Sequence, residues 1–181
     1  MTNKLQMCLR RVTPLTGGMA LLMMTAWVHA DTTINFHGTL LAGACEVDTL
    51  SSDQTVVLGD ISTTLFNAPG DMSPARPFSI SLTCPEGGAE HASVTFSGKV
   101  SSADASLLAL DESADSASGV AVQIAESDGT KVSLDTPSAA RPLVVGENVL
   151  NFTARYQALV ERSVITPGVA NATSQFTINY P

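Results

Sequence analysis

Among the side chains able to do chemistry, Cys45 and Cys84 carry the most information. The chain holds three cysteines, and the first, Cys8, lies in a stretch that reads as a removable secretory signal. Lys4, Arg10 and Arg11 make its positive start, Met19 to Val28 its short apolar centre, and Val28-His29-Ala30 ends it on a small residue. That apolar run is too short to span a bilayer. Residues 1–30 are therefore expected to be cleaved off, with the mature chain starting near Asp31. Cys45 and Cys84 are then left alone in an oxidising compartment, where pairing with each other is the expected outcome. Closing a loop of that length stabilises by about 4 kcal/mol in the chain-entropy account. Other cysteine chemistry fits less well. Leu41-Ala42-Gly43-Ala44-Cys45 is a faint lipid-attachment box, but Cys45 lies far beyond the apolar centre of the signal. A metal pair lacks further ligands, because the other two histidines, His37 and His91, are scattered.

No pattern of catalysis emerges. There is no G-x-S-x-G, no phosphate-binding loop and no H-E-x-x-H. A serine triad would have to recruit His37 or His91, and nothing near either would orient it. Asp111, Glu112 and Asp115 sit in a polar stretch and read as a solvated loop. The expectation is a non-enzyme with no catalytic residue, metal site or cofactor. The formal net charge is −8, and losing the signal makes the chain more acidic still. Nucleic acid and anionic membrane both need clustered Lys and Arg, so neither is an expected partner, and no direct membrane insertion is expected.

The elements that would hold the cysteines are strands. Phe78, Ile80, Leu82 and Cys84 alternate with polar residues, as do Val94 and Phe96, then Val120, Val122 and Ile124. Leu150, Phe152, Ala154, Tyr156, Ala158 and Val160 form a long run of the same period. Ala170, Ala172, Ser174, Phe176, Ile178 and Tyr180 form the last. A period of two means strands with one buried face. Turn residues fall between them at 69–71, 85–88, 127–129, 136–138 and 167–168. Only 61–66 and 105–110 have room for a short helical turn. Together these features predict an all-β, immunoglobulin-like β-sandwich.

The two ends of the mature chain look complementary. Ile34, Phe36, Gly38 and Leu40 alternate ahead of Cys45, a strand to spare. The last strand runs to the final residues, so nothing later in sequence covers its neighbouring edge. An open apolar edge is a liability unless something pairs with it, and one molecule's spare strand can complete the next molecule's sheet.

These residues carry a family resemblance. The segment Ile34-Asn-Phe-His-Gly-Thr-Leu-Leu-Ala-Gly-Ala-Cys45-Glu-Val resembles the N-terminal signature of type 1 and related fimbrial (pilus) subunits of the chaperone–usher family. Cys84 is similar to that family's second cysteine, and Gly168 and Tyr180 to its C-terminal glycine and penultimate tyrosine. The runs Leu107-Leu-Ala-Leu and Ser118-Gly-Val-Ala-Val-Gln-Ile also resemble the tip-adaptor subunits of type 1 fimbriae; Pro181 departs from the polar residue that often ends such chains.

The resemblance implies an incomplete immunoglobulin-like sandwich lacking its final strand, with residues 42–181 as the domain and 31–41 as an N-terminal donor strand. Ile34, Phe36, Gly38 and Leu40 would enter a neighbour. Gly168, Ala172, Ser174, Phe176, Ile178 and Tyr180 would form the groove edge and the surface a chaperone grips. Implied partners are neighbouring pilus subunits, a periplasmic chaperone and an outer-membrane usher. The implied function is a structural subunit of an adhesive surface fimbria, exported through the periplasm and polymerised by donor-strand exchange. The alternative is a self-contained secreted immunoglobulin-like binding module, with 31–41 as its ordinary first strand.

Overall fold

The computed structural model describes residues 43–181. The predicted signal (1–30) and donor segment (31–41) lie outside the described residues. Eight strands follow one another: β1 Glu46–Val47, β2 Arg76–Cys84, β3 His91–Gly98, β4 Val120–Glu126, β5 Lys131–Val132, β6 Arg141–Pro142, β7 Gly146–Ala158 and β8 Ser174–Asn179. They form two antiparallel sheets, one in the order β1-β2-β7-β4-β5, the other β6-β3-β8. Among the described residues, helix is confined to α1, Thr49–Ser52, and two 3₁₀ turns at Thr63–Leu65 and Arg162–Val164. The first 3₁₀ turn falls inside the 61–66 stretch that had room for one. The 105–110 stretch is divided: Leu107 donates to the Asp104 carbonyl at 3.0 Å and closes a turn, and Leu108 then exchanges both backbone bonds with Val122 at 2.9 Å alongside β4. The α1 turn was missed in the sequence; Asp48 caps it, accepting the Leu50 N–H at 2.8 Å.

Alternation explains most of the core. Ile80 and Leu82 of β2, Val94 and Phe96 of β3, and Leu150, Phe152 and Ala154 of β7 are all buried. Three phenylalanines bridge the sheets: Phe96 stands edge-on to Phe152 with ring centres 5.1 Å apart, and Phe78 stacks on Phe152 at 5.7 Å. Such pairs contribute about 0.5–1.5 kcal/mol beyond the area they bury.

β4 departs from simple alternation, since every residue of it is buried. Its inner row is Val120, Val122 and Ile124. Its other face holds Ala121 and Ala125 with Gln123 between them, and Gln123 is satisfied by Arg155 Nε and Gln157 Oε1, both at 2.8 Å. Glu126, also buried, accepts from the Ala139 N–H and from Arg141, each at 3.0 Å. Those two bonds tie down the segment that leaves β5, pairs Asp135 and Ser138 with β3, and so crosses from one sheet to the other.

The molecule has two unlike poles. β2 ends at Cys84, opposite Gly146 at the start of β7. Cys45, Cys84, the 85–90 turn and the end of β8 gather there, and Tyr180 Oη donates to the Cys45 carbonyl at 3.1 Å. The far pole holds the end of β7, the start of β8, the 99–118 loops and the Arg162–Val164 turn.

Candidate functional site

Cys45 and Cys84 form a disulfide across 39 residues of sequence, with Cα atoms 4.2 Å apart. It fastens the point where the chain enters the domain to the end of β2. The ladder continues from there, with Glu46 opposite Thr83 and Val47 opposite Leu82.

The last predicted strand is present but shorter at its start than the alternation suggested. Ladder pairing begins at Ser174, opposite Gly98, and ends at Asn179, opposite Ser93. Residues 170–173 extend the same row without a ladder. From 170 to 178 the period holds: Ala170, Ala172, Ser174, Phe176 and Ile178 are half-buried and Asn171, Thr173, Gln175 and Thr177 exposed, while at the end of the strand Asn179 and Tyr180 are both half-buried. Half-burial of the inward row is the informative departure from an ordinary sandwich strand. β8 pairs with β3 along one edge only; among the described residues no strand lies against its other edge.

Beside that edge runs an open groove of ≈ 1410 Å³. One wall is Ala170, Ala172, Ser174 and Phe176. The opposite wall is the 54–61 segment, which turns Val56, Leu58 and Ile61 toward the core. Phe78, Phe96, Val122 and Tyr156 are among the apolar side chains at its base. The 54–61 wall runs beside β2 without a strand ladder. Side chains hold it there, as Gln54 donates to the Ser79 carbonyl at 3.2 Å and Arg76 to the Leu58 carbonyl at 3.4 Å. Sequence reasoning missed this wall. Val56, Leu58 and Ile61 carried a weak signal, broken by Val57, Gly59 and Asp60.

Tyr156 fixes the other wall. Its hydroxyl donates to the Ala170 carbonyl at 2.8 Å, and burial pushes its pKa up, so the donor form is kept. Gly168 stands where two loops touch. A Cβ there would run into the Asp115 carbonyl oxygen and approach the Ala117 nitrogen at 2.7 Å. This close approach lets Val169 donate to Asp115 at 2.7 Å and accept from Ala117 at 2.8 Å. At the far pole, Asp71 accepts the N–H groups of Asn67 and Ala68, which hold its carboxyl below the usual carboxylate range. Arg162 binds the Phe66 and Thr64 carbonyls at 3.1 and 2.7 Å and also contacts Asn67.

The structure thus gathers Ala172, Ser174, Phe176, Ile178 and Tyr180 into one row, and places Gly168 where that wall begins. Ile34, Phe36, Gly38 and Leu40 lie outside the described residues. Chemically the groove offers an apolar trough beside the open edge of β8, with no group of His, Cys, Asp and Glu among the described residues suited to a metal ion. Such a trough accepts an extended segment: apolar side chains go into the core, and backbone groups add to the β8 edge.

An immunoglobulin-like sandwich with an open edge and a strand-sized groove defines a class of protein that is completed by another chain. Residues 34–181 match the family model described as Fimbrial protein. The chain is 42% identical to "Type-1 fimbrial protein, A chain" of Salmonella typhi over 153 residues, 82% of each sequence. It is 34% identical to "Probable major fimbrial subunit LpfA" of Escherichia coli O157:H7, over 83% of this chain and 84% of that one. Among solved structures, a type I fimbria protein of Burkholderia pseudomallei has 33% identity and a TM-score of 0.58, covering 76% of this chain and 90% of that one. The P pilus rod subunit PapA has 25% identity and a TM-score of 0.61, covering 76% and 99%.

The chain belongs to the fimbrial protein family. It is a structural subunit of a chaperone–usher fimbria, exported to the cell surface, and its partners are neighbouring subunits, a periplasmic chaperone and an outer-membrane usher. The family is not known for enzymes.

Proposed function

We propose that residues 31–41 serve as the donor strand of this subunit, and that Ile34, Phe36 and Leu40 fill the groove of a neighbouring copy. The observation that carries this reading is the half-buried inward row of 170–180 beside an edge with no partner among the described residues. Segments 31–41 and 170–180 are equal in length, so one lies along the other in full. Three apolar side chains going into the groove contribute roughly 5–9 kcal/mol, and pairing along β8 adds to that. Gly38 leaves room where backbone approaches backbone. Gly168 and the row from Ala172 to Tyr180 form the edge a chaperone would hold before exchange. Residues 1–30 act as the cleaved signal and 42–181 as the pilin domain, and the subunit catalyses no reaction.

Orientation follows from the poles. An antiparallel donor has its C-terminal end beside the start of the neighbour's β8, at the neighbour's far pole. The donor's own domain begins at its disulfide pole. Successive subunits therefore meet disulfide pole to far pole, an unlike pairing that leaves the polymer open-ended. The names of the relatives favour a place in the shaft over the tip-adaptor position suggested by 107–110 and 118–124.

The test is Phe36→Asp in the full chain. It places a carboxylate in an apolar trough, so chaperone capture is expected to persist while polymer is lost. Normal polymer from this variant would overturn the donor assignment.

A further inference from the structure

Half of the exposed large apolar side chains among the described residues lie at one pole. Leu65, Met72, Val100, Val164 and Val169 belong to the far pole, where Arg162 ties the 64–67 loop to the 3₁₀ turn that ends at Val164 and Met72 bridges to Gln157 near the end of β7. Val144 and Val145, 65% and 67% exposed, belong to the disulfide pole, directly before the Gly146–Cys84 pair. Leu50 and Val149 lie on the flank beside that pole, both close to Ser81. Val57 is exposed on the groove wall.

Isolated exposed valines need no explanation. These are held in place. Asn148 accepts the Val144 N–H at 2.8 Å and donates to the Val144 and Gly146 carbonyls at 2.8 and 3.0 Å. One side chain thus satisfies the loop's backbone and leaves both valine side chains pointing into solvent. At the far pole, Val169 is fixed by its bonds to the 115–117 segment, and Val164 by the Arg162 anchor.

We infer that the Val144–Val145 loop of one subunit packs against Val164 and Val169 at the far-pole mouth of the next copy's groove, as a contact between subunit bodies additional to the donor strand. The inference rests on the donor-strand reading, which brings those unlike poles together. The proposed donor segment ends at residue 41 and Cys45 is fastened at the disulfide pole, so only a short tether separates the donor's disulfide pole from the start of the neighbour's β8. The occupant is a second copy of this chain. The contact gives successive subunits a preferred angle that a tether alone would not set.

The test uses full-length subunits carrying two cysteines, V145C/V164C or V144C/V169C, assembled into polymer and treated with a short bismaleimide. Cys45 and Cys84 are paired and do not react, and Cys8 leaves with the proposed signal. A denaturing gel is expected to show a covalent ladder from the double variants and none from V145C or V164C alone, nor from V57C/V145C, whose first cysteine lies off the poles. Polymer of normal length with no ladder from either double variant would overturn the inference while leaving the donor assignment standing. Normal polymer from Phe36→Asp would remove the donor assignment itself. A double variant that forms its chaperone complex in normal yield but no polymer also supports the contact, because a valine without a partner tolerates cysteine.

Discussion

Gly168→Ala isolates one steric demand of the groove wall. The glycine does not adopt a left-handed backbone conformation, so an added methyl is unfavourable only for what it meets. It meets three backbone atoms of 115–117, and none is the end of a flexible side chain. The 166–169 and 115–118 segments must part, and the two bonds of Val169 to Asp115 and Ala117 weaken with them. Two backbone bonds are worth about 1–3 kcal/mol net, and forcing extra volume into a packed site costs about 1–3 kcal/mol more. A loss of roughly 2–6 kcal/mol lowers the melting temperature by about 5–20 °C in a domain of this size. Gly129→Ala is the control. It has no atom within 4 Å but a φ of +90°, so only the left-handed penalty of about 1 kcal/mol applies. The assay is a pair of thermal melts in a form of the subunit with residues 31–41 appended after Pro181. Because Gly168 starts the wall that includes Ala170 and Ala172, uptake of free donor peptide by the variant without the appended strand is also expected to slow. Gly168→Ala melting with Gly129→Ala, or with the parent, would refute the reasoning.

Two further outcomes follow from bonds at the two poles of the domain. Replacing Cys45 and Cys84 together by serine releases a 39-residue span and is expected to cost about 4 kcal/mol; an unchanged denaturation midpoint would contradict it. Asp71 has its pKa lowered by the Asn67 and Ala68 N–H groups, so its stabilisation is present above the ordinary carboxylate pKa of about 3.9 and fades as pH falls through its lower folded value. The urea midpoints of the parent and Asp71→Asn are then expected to converge in acid, and a gap that persists there would count against the assignment.

Much of this was legible in the residues. The period-two runs located β2, β3, β4, β7 and β8, because a strand with one wet face writes its burial into every second position. β5 and β6 were not legible, being two residues each and held by Asp135, Ser138 and Glu126 through contacts distant in sequence. The double burial of β4 was also hidden, since Ala121 and Ala125 are too small to signal a second packed face and Gln123 reads as polar. For the groove, the C-terminal wall stood out as Ala170 to Tyr180, whereas the 54–61 wall did not. That wall owes its place to Gln54 and Arg76 side chains, and no short motif encodes such a contact. The resemblance in Cys45, Cys84, Gly168 and Tyr180 pointed to the family that the comparisons then established. Gly168 was singled out by its place near the end of the chain, but its reason, a backbone contact with Asp115 and Ala117, came only with the fold.

The central claim is that the domain lacks a strand which residues 31–41 supply. Its most direct test compares thermal melts of the 42–181 domain alone and of the same domain with the 31–41 sequence joined after Pro181 through a short flexible linker. Filling the groove is worth roughly 5–9 kcal/mol, so the complemented form is expected to melt at least about 10 °C higher. Equal melting of the two forms would contradict the account.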